Sequence, residues 1–158
     1  MSYDNRPQRH QSGSYQRNQP QLDTSFLNSG FFVDDKKEII RSDLLEKHAF
    51  ELGKKFASVK VSSSQLRNFF NDVKALEAKV DLVSSSREFE KIKPYVKLLK
   101  SKVAYAYKNG KGKIALPFKQ FIDKCVDLVA TKEDFKAFAI FFEAVVGFYY
   151  GEGGEKNR

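Results

Sequence analysis

The segment FKAFAIFFEAVVGFYY, residues 135–150, decides the fold. No proline interrupts it, and Gly151 stands where a helix should stop. Thr131 holds the N-cap position, and Asp134 follows at the spacing of a capping box. At about 100° per residue, apolar side chains appear on almost every side. Only Lys136 and Glu143, on one side, leave a polar stripe. A helix this apolar is a buried central element, a subunit interface or a membrane span. A span needs about 20 apolar residues, more than this segment has. The segment is therefore expected to be the post on which the other helices pack. Its extra apolar face, through Phe148 and Tyr149, is the candidate for self-association.

Working outward, 158 residues suit one domain with a real core. Phe occurs 15 times and Trp not at all, so the core is expected to be built of phenylalanine. Proline and glycine are scarce after the first thirty or so residues, and long stretches repeat at helical spacing. The expected architecture is all-α, a single-domain bundle of about five helices. Residues 1–34 read as a disordered polar tail, 35–151 as the helical bundle and 152–158 as a flexible C-terminal tail.

The first helix starts near Ser42 or Asp43, with Leu44, Leu45, His48, Ala49, Leu52 and Phe56 at helical spacing, and runs to about Lys60 despite Gly53. Ser62 with Gln65 reads as a capping box for the second, whose core stripe is Leu66, Phe69, Phe70, Val73, Leu76 and Val80. Ser85 with Glu88 opens the third. Pro94 either splits that helix or kinks it. NGKGK, residues 109–113, is a flexible basic loop. Pro117 suits the first turn of the fourth helix, with Phe118, Phe121, Ile122, Cys125, Val126 and Val129 on one side.

Little here supports catalysis. Of 2 histidines, His10 lies in the tail and His48 on an apolar helix face. A zinc site needs several His or Cys ligands, and the 1 cysteine, Cys125, sits among core residues. No catalytic residue, metal site or cofactor is expected. The Gly-Lys pairs at 110–113 lack the upstream glycine of a phosphate-binding loop. A single cysteine also forbids an intrachain disulfide, which fits a reducing compartment. With no signal core and no span, the expected location is the cytoplasm and no membrane partner is expected.

Charge is more informative. Lys plus Arg number 28 against 20 Asp plus Glu, a net +8, which favours an anionic partner. On the third helix Lys93, Lys97, Lys100 and Lys108 fall within a narrow arc that Ala104 completes, and the row points into the loop with Lys111 and Lys113. Such a ridge can follow a phosphate backbone, although a solubilising lysine face looks the same in sequence. The second helix opens with Ser64, Gln65, Arg67 and Asn71 at an N-terminus that favours an anion, with Lys74 further along and Lys54, Lys55 and Lys60 just before. In the tail Arg6, Arg9 and Arg17 with Tyr3 and Tyr15 are minor candidates. The alternative is an interaction module whose basic face meets an acidic protein; a nonspecific DNA binder comes third.

The run SSQLRNFF opening the second helix, followed by KPYVKLLKSKVAYA in the third, resembles the small helical subunit of type III-A CRISPR effector complexes. The resemblance covers residues 35–151. It implies a non-catalytic bundle, several copies of which stack as an inner filament along the guide RNA, in antiviral defence. Its partners would be guide RNA, target RNA and the other subunits. RNA cleavage would belong to the backbone-forming subunit, and signalling and DNase activities to the large one. The family's basic positions would land on Lys54, Lys60, Arg67, Lys100 and Lys108, beside Ser64 and Gln65. The long polar N-terminal tail is not part of the family pattern.

Overall fold

In a computed structural model, which describes residues 20–158, five helices form one bundle. They are α1 (Ala49–Ser58), α2 (Ser63–Asp81), α3 (Ser86–Tyr107), α4 (Leu116–Leu128) and α5 (Lys132–Gly151). A π-turn, Leu44–His48, leads into α1. The described residues contain no strand beyond one isolated bridge between Phe32 and Ile40. What the sequence suggests for the tail before residue 20 lies outside the described residues.

The apolar segment is the central post. α5 packs along α1 and against α2. Its Phe141 and Phe142 rings meet Phe121 of α4 at 5.5 and 6.0 Å between centroids. Phe118 joins Phe56, Phe69 and Phe142, so the core is a continuous phenylalanine cluster. The α1–α5 crossing is close because Gly53 has no side chain. A Cβ there would stand 2.6 Å from the Cβ of Phe148 and 2.7 Å from the Tyr149 nitrogen. The glycine that looked like a flaw in the first helix is the contact point.

The face set aside for self-association is mostly core. Tyr149 is fully buried, and Phe148 is half-buried with its ring edge-on to Phe50. The exposed row of α5 is Glu133, Lys136, Ile140, Glu143 and Gly147, narrow and largely polar. Lys136 pairs with Asp81 at 3.0 Å.

Three helix ends depart from the sequence reading. The Thr131–Asp134 capping box forms. Ser62 is the N-cap of α2 but makes no capping bond, because its hydroxyl faces the Ser64 hydroxyl at 3.0 Å. At α3 the Ser85 hydroxyl accepts from the Glu88 amide, while Glu88 reaches back one residue too far, to the Ser84 amide at 2.7 Å. Gly151 is the last residue of α5 but not its left-handed cap, which is Gly153, φ +84°. Pro94 neither splits α3 nor ends it. It lies on the exposed side of a continuous helix, where solvent can satisfy the carbonyl it orphans.

The ordered fold also begins earlier than residue 35. Leu27 and Phe31 are buried, and the Phe26 ring lies edge-on to Phe141. Arg41 ties this strap together by donating to the Phe26 and Gly30 carbonyls at 2.7 and 2.9 Å. Lys37 then fastens it to α5 through buried Asp134 at 2.8 Å.

Candidate nucleic-acid interface

Three segments meet at one end of the bundle. α1 stops at Ser58, and the chain reverses through Lys60, which is left-handed at φ +58°. The Val61 amide donates to Phe56 O at 3.0 Å and the Lys60 amide to Ala57 O at 3.3 Å. This is a Schellman ending with lysine where glycine is usual. Buried Val61 then fixes the corner, and the Tyr149 hydroxyl lies 2.6 Å from Val61 O and 2.7 Å from Gly154 O.

The loop after α3 and the C-terminal residues close on the same corner. The Ser62 amide donates to Lys113 O at 3.2 Å, and the Ser63 amide to Asn157 O at 2.8 Å. The Asn157 side chain donates to Ala57 O at 2.9 Å. The loop is anchored at Gly112, whose amide bonds Tyr107 O at 2.9 Å and where any Cβ would overlap the Ala106 carbonyl. Lys60, Lys113 and Arg158 thus line one cavity of about 180 Å³ with Ser62 and Gly112.

From this corner the exposed row of α2 leads away through Ser64, Arg67 and Asn71. Among the described residues no carboxylate pairs with Lys60, Arg67, Lys111 or Lys113. Lys54 and Lys55 border the adjoining groove on α1 with Pro20 and Phe50, and Val59 separates that groove from the Lys60 cavity. Gln65 is half-buried beside this row. Lys74 is turned toward Glu77 at 3.1 Å and Glu143 at 3.9 Å, and the Glu77 hydrogen bond raises its pKa.

The α3 row is not brought into this cluster. Lys97 donates to Val126 O at 2.6 Å and Val129 O at 3.0 Å, capping the end of α4. Burial lowers its pKa. An ammonium held by two carbonyls is not offered to a phosphate. Lys100 pairs with Asp127 at 2.6 Å, a hydrogen bond that raises its pKa, and Lys93 pairs with Glu90 at 3.4 Å. The regular spacing was real, but much of that face is spent on α4. Lys108 caps α3 in the left-handed region, φ +46°, with its ammonium 4.8 Å from the Tyr105 ring centroid. Arg158, in the segment whose sequence reads as a flexible tail, joins the site with no local signal to mark it.

Residues 40–154 match the family model described as Csm2 Type III-A. The chain belongs to that family. The match takes in all five helices and stops short of Arg158 and of the strap before Ile40. Membership of the Csm2 family makes it a structural subunit of a type III-A CRISPR effector complex. No curated protein and no solved structure gives a significant match.

The remaining reactive groups of this Csm2-family chain have structural surroundings. His48 stacks on Phe26 at 4.2 Å and lies 3.3 Å from Asp43. Cys125 is wholly buried, and desolvation pushes its thiol well up, away from a reactive thiolate. Among the described residues no cluster of His, Cys, Asp and Glu could hold a metal ion, and no helix is long and apolar enough to cross a membrane.

Proposed function

We propose that the chain is a non-catalytic RNA-holding subunit that grips the backbone of the guide RNA and of the guide–target duplex, with copies stacked as an inner filament of the complex, in the cytoplasm, in antiviral defence. The observation that carries this reading is the convergence of Lys60, Lys113 and Arg158 around Ser62 at the start of α2. Cations from three segments with a helix N-terminus between them suit a phosphate, and Arg67 can fork onto the next one. Lys54, Lys55, Lys108 and Lys111 would form an outer rim. Gln65 and Asn71 would reach sugar hydroxyls, which are polar contacts independent of base identity. Lys97 holds α3 to α4 in this reading, and Lys74, Lys93 and Lys100 are engaged by nearby carboxylates.

The test is RNA binding across a salt series. On single strands log K should fall with log salt by about 0.7 per phosphate neutralised. The double variant Lys60→Glu/Lys113→Glu should flatten that slope by about 1.4 and leave the thermal melt unchanged. No RNA affinity, either alone or in the assembled complex, would refute the reading.

A further inference from the structure

α3 carries a second solvent face, which meets the phosphate-gripping rim only at Lys108. Tyr95, Leu98, Lys102 and Tyr105 fall within about 80° on one side of the helix, about 80–160° round from Lys97. Tyr95 is 58% exposed, Leu98 51% and Tyr105 74%. Each tyrosine has its own cation: Lys79 reaches over Tyr95 at 5.8 Å, and Lys108 over Tyr105 at 4.8 Å. Between α2 and α3, Lys79, Tyr95, Leu98 and Lys102 line a cleft of about 190 Å³. Asp72 is the one carboxylate in its lining, and it pairs with Lys102 at 3.0 Å.

This face fits neither water alone nor an apolar partner. Three large apolar side chains are exposed along one stripe of a single helix, yet ammonium groups are interleaved with them. A protein laid over the stripe would have to bury Lys79, Lys102 and Lys108, at high cost unless each met a carboxylate. The cleft is also too small to seat a helix about 10 Å across. Single-stranded nucleic acid meets both chemistries, with base rings for the tyrosines and phosphates for the lysines. The two tyrosines stand ten residues apart on the helix, about 15 Å along its axis, so one strand can span both.

We propose that this face of α3 is a base-stacking platform for single-stranded RNA. Tyr95 and Tyr105 stack on bases, Lys79 and Lys108 hold the phosphates between them, and Lys102 stays paired with Asp72. The proposal rests on the RNA-binding reading above and adds a contact that senses the base ring, still without choosing among sequences.

The experiment compares two probes on the full chain: an oligouridylate of about ten nucleotides and an abasic ribose-phosphate oligomer of equal length. The unmodified chain should bind the oligouridylate about tenfold or more tightly than the abasic oligomer. Tyr95→Ala/Tyr105→Ala should abolish that preference without changing affinity for the abasic oligomer, and Tyr95→Phe/Tyr105→Phe should keep it. Since the chain has no tryptophan, quenching of tyrosine emission by the oligouridylate but not the abasic oligomer is a second readout. Equal affinity for the two probes, or equal loss on both in the alanine variant, overturns the platform. If Lys60→Glu/Lys113→Glu weakens binding while the tyrosine changes do not, the platform falls and the RNA reading stands. If the unmodified chain binds neither probe, alone or in the assembled complex, the RNA reading falls as well. Unchanged RNA affinity with lost incorporation into the effector complex would make the face a protein contact and also overturn the proposal.

Discussion

Lys93, Lys97 and Lys100 on α3 and Lys60, Lys113 and Arg158 at the bundle end differ in what lies across from them. The first set lies at helical spacing on one helix; carbonyls and Asp127 at the end of α4 hold Lys97 and Lys100, while Lys93 pairs with Glu90 of its own helix. The second comes from three segments with no shared period and converges on an open cavity. Regular spacing shows that side chains share a face. It does not say whether that face meets solvent or another helix.

The comparison can be broken by substitution. The largest effect on folding is expected from Lys97→Met, which keeps the apolar stem and leaves two α4 carbonyls without their charged donor. It should cost about 2 kcal/mol in thermal unfolding and leave the RNA affinity of the folded chain unchanged. Lost RNA affinity with an unshifted melt would make the two sets equivalent. Lys60→Gly should act in the opposite direction. Relief of the left-handed conformation should stabilise the chain by about 0.5–1 kcal/mol. Loss of the cation should make the RNA salt slope shallower by about 0.7. A destabilised Lys60→Gly would mean that the side chain, not the turn, holds the corner. The smallest effect is expected from Lys100→Ala, since its partner is solvent-exposed. The change should stay within about 0.5 kcal/mol and shrink further at high salt in the same melt.

Much of the fold was legible because its signals are local. The stripes Leu66, Phe69, Val73, Leu76 and Val80 in α2 and Phe118, Phe121, Ile122 and Cys125 in α4 are buried as their spacing requires. Thr131 and Asp134 announce their helix within four residues. What stayed hidden depends on distant contacts. Leu27 and Phe31 sit in short apolar clusters, Phe26–Leu27 and Phe31–Val33, too short to carry a helical period, and only the finished bundle fixes where they dock. Arg158 is brought to Lys60 by the bonds of Asn157 to Ala57 and Ser63, about a hundred residues back, and no local pattern records them. The candidate site was legible in its Lys60, Arg67 and Lys113 members and not in its extent. The direction in which α3 turns its lysines is set by how α3 packs on α4, which the period of α3 alone does not contain.

The missing side chain of Gly53 has a mechanical consequence. With no Cβ between them, the backbones of α1 and α5 lie close together at that point, and neither can slide past the other without first lifting away. The two helices therefore behave as one stiff beam. A pull on the corner at Lys60 is carried along this beam to the opposite end of α5, where Asp134 holds Lys37 of the strap. Load placed on one end of the molecule is thus resisted at the other.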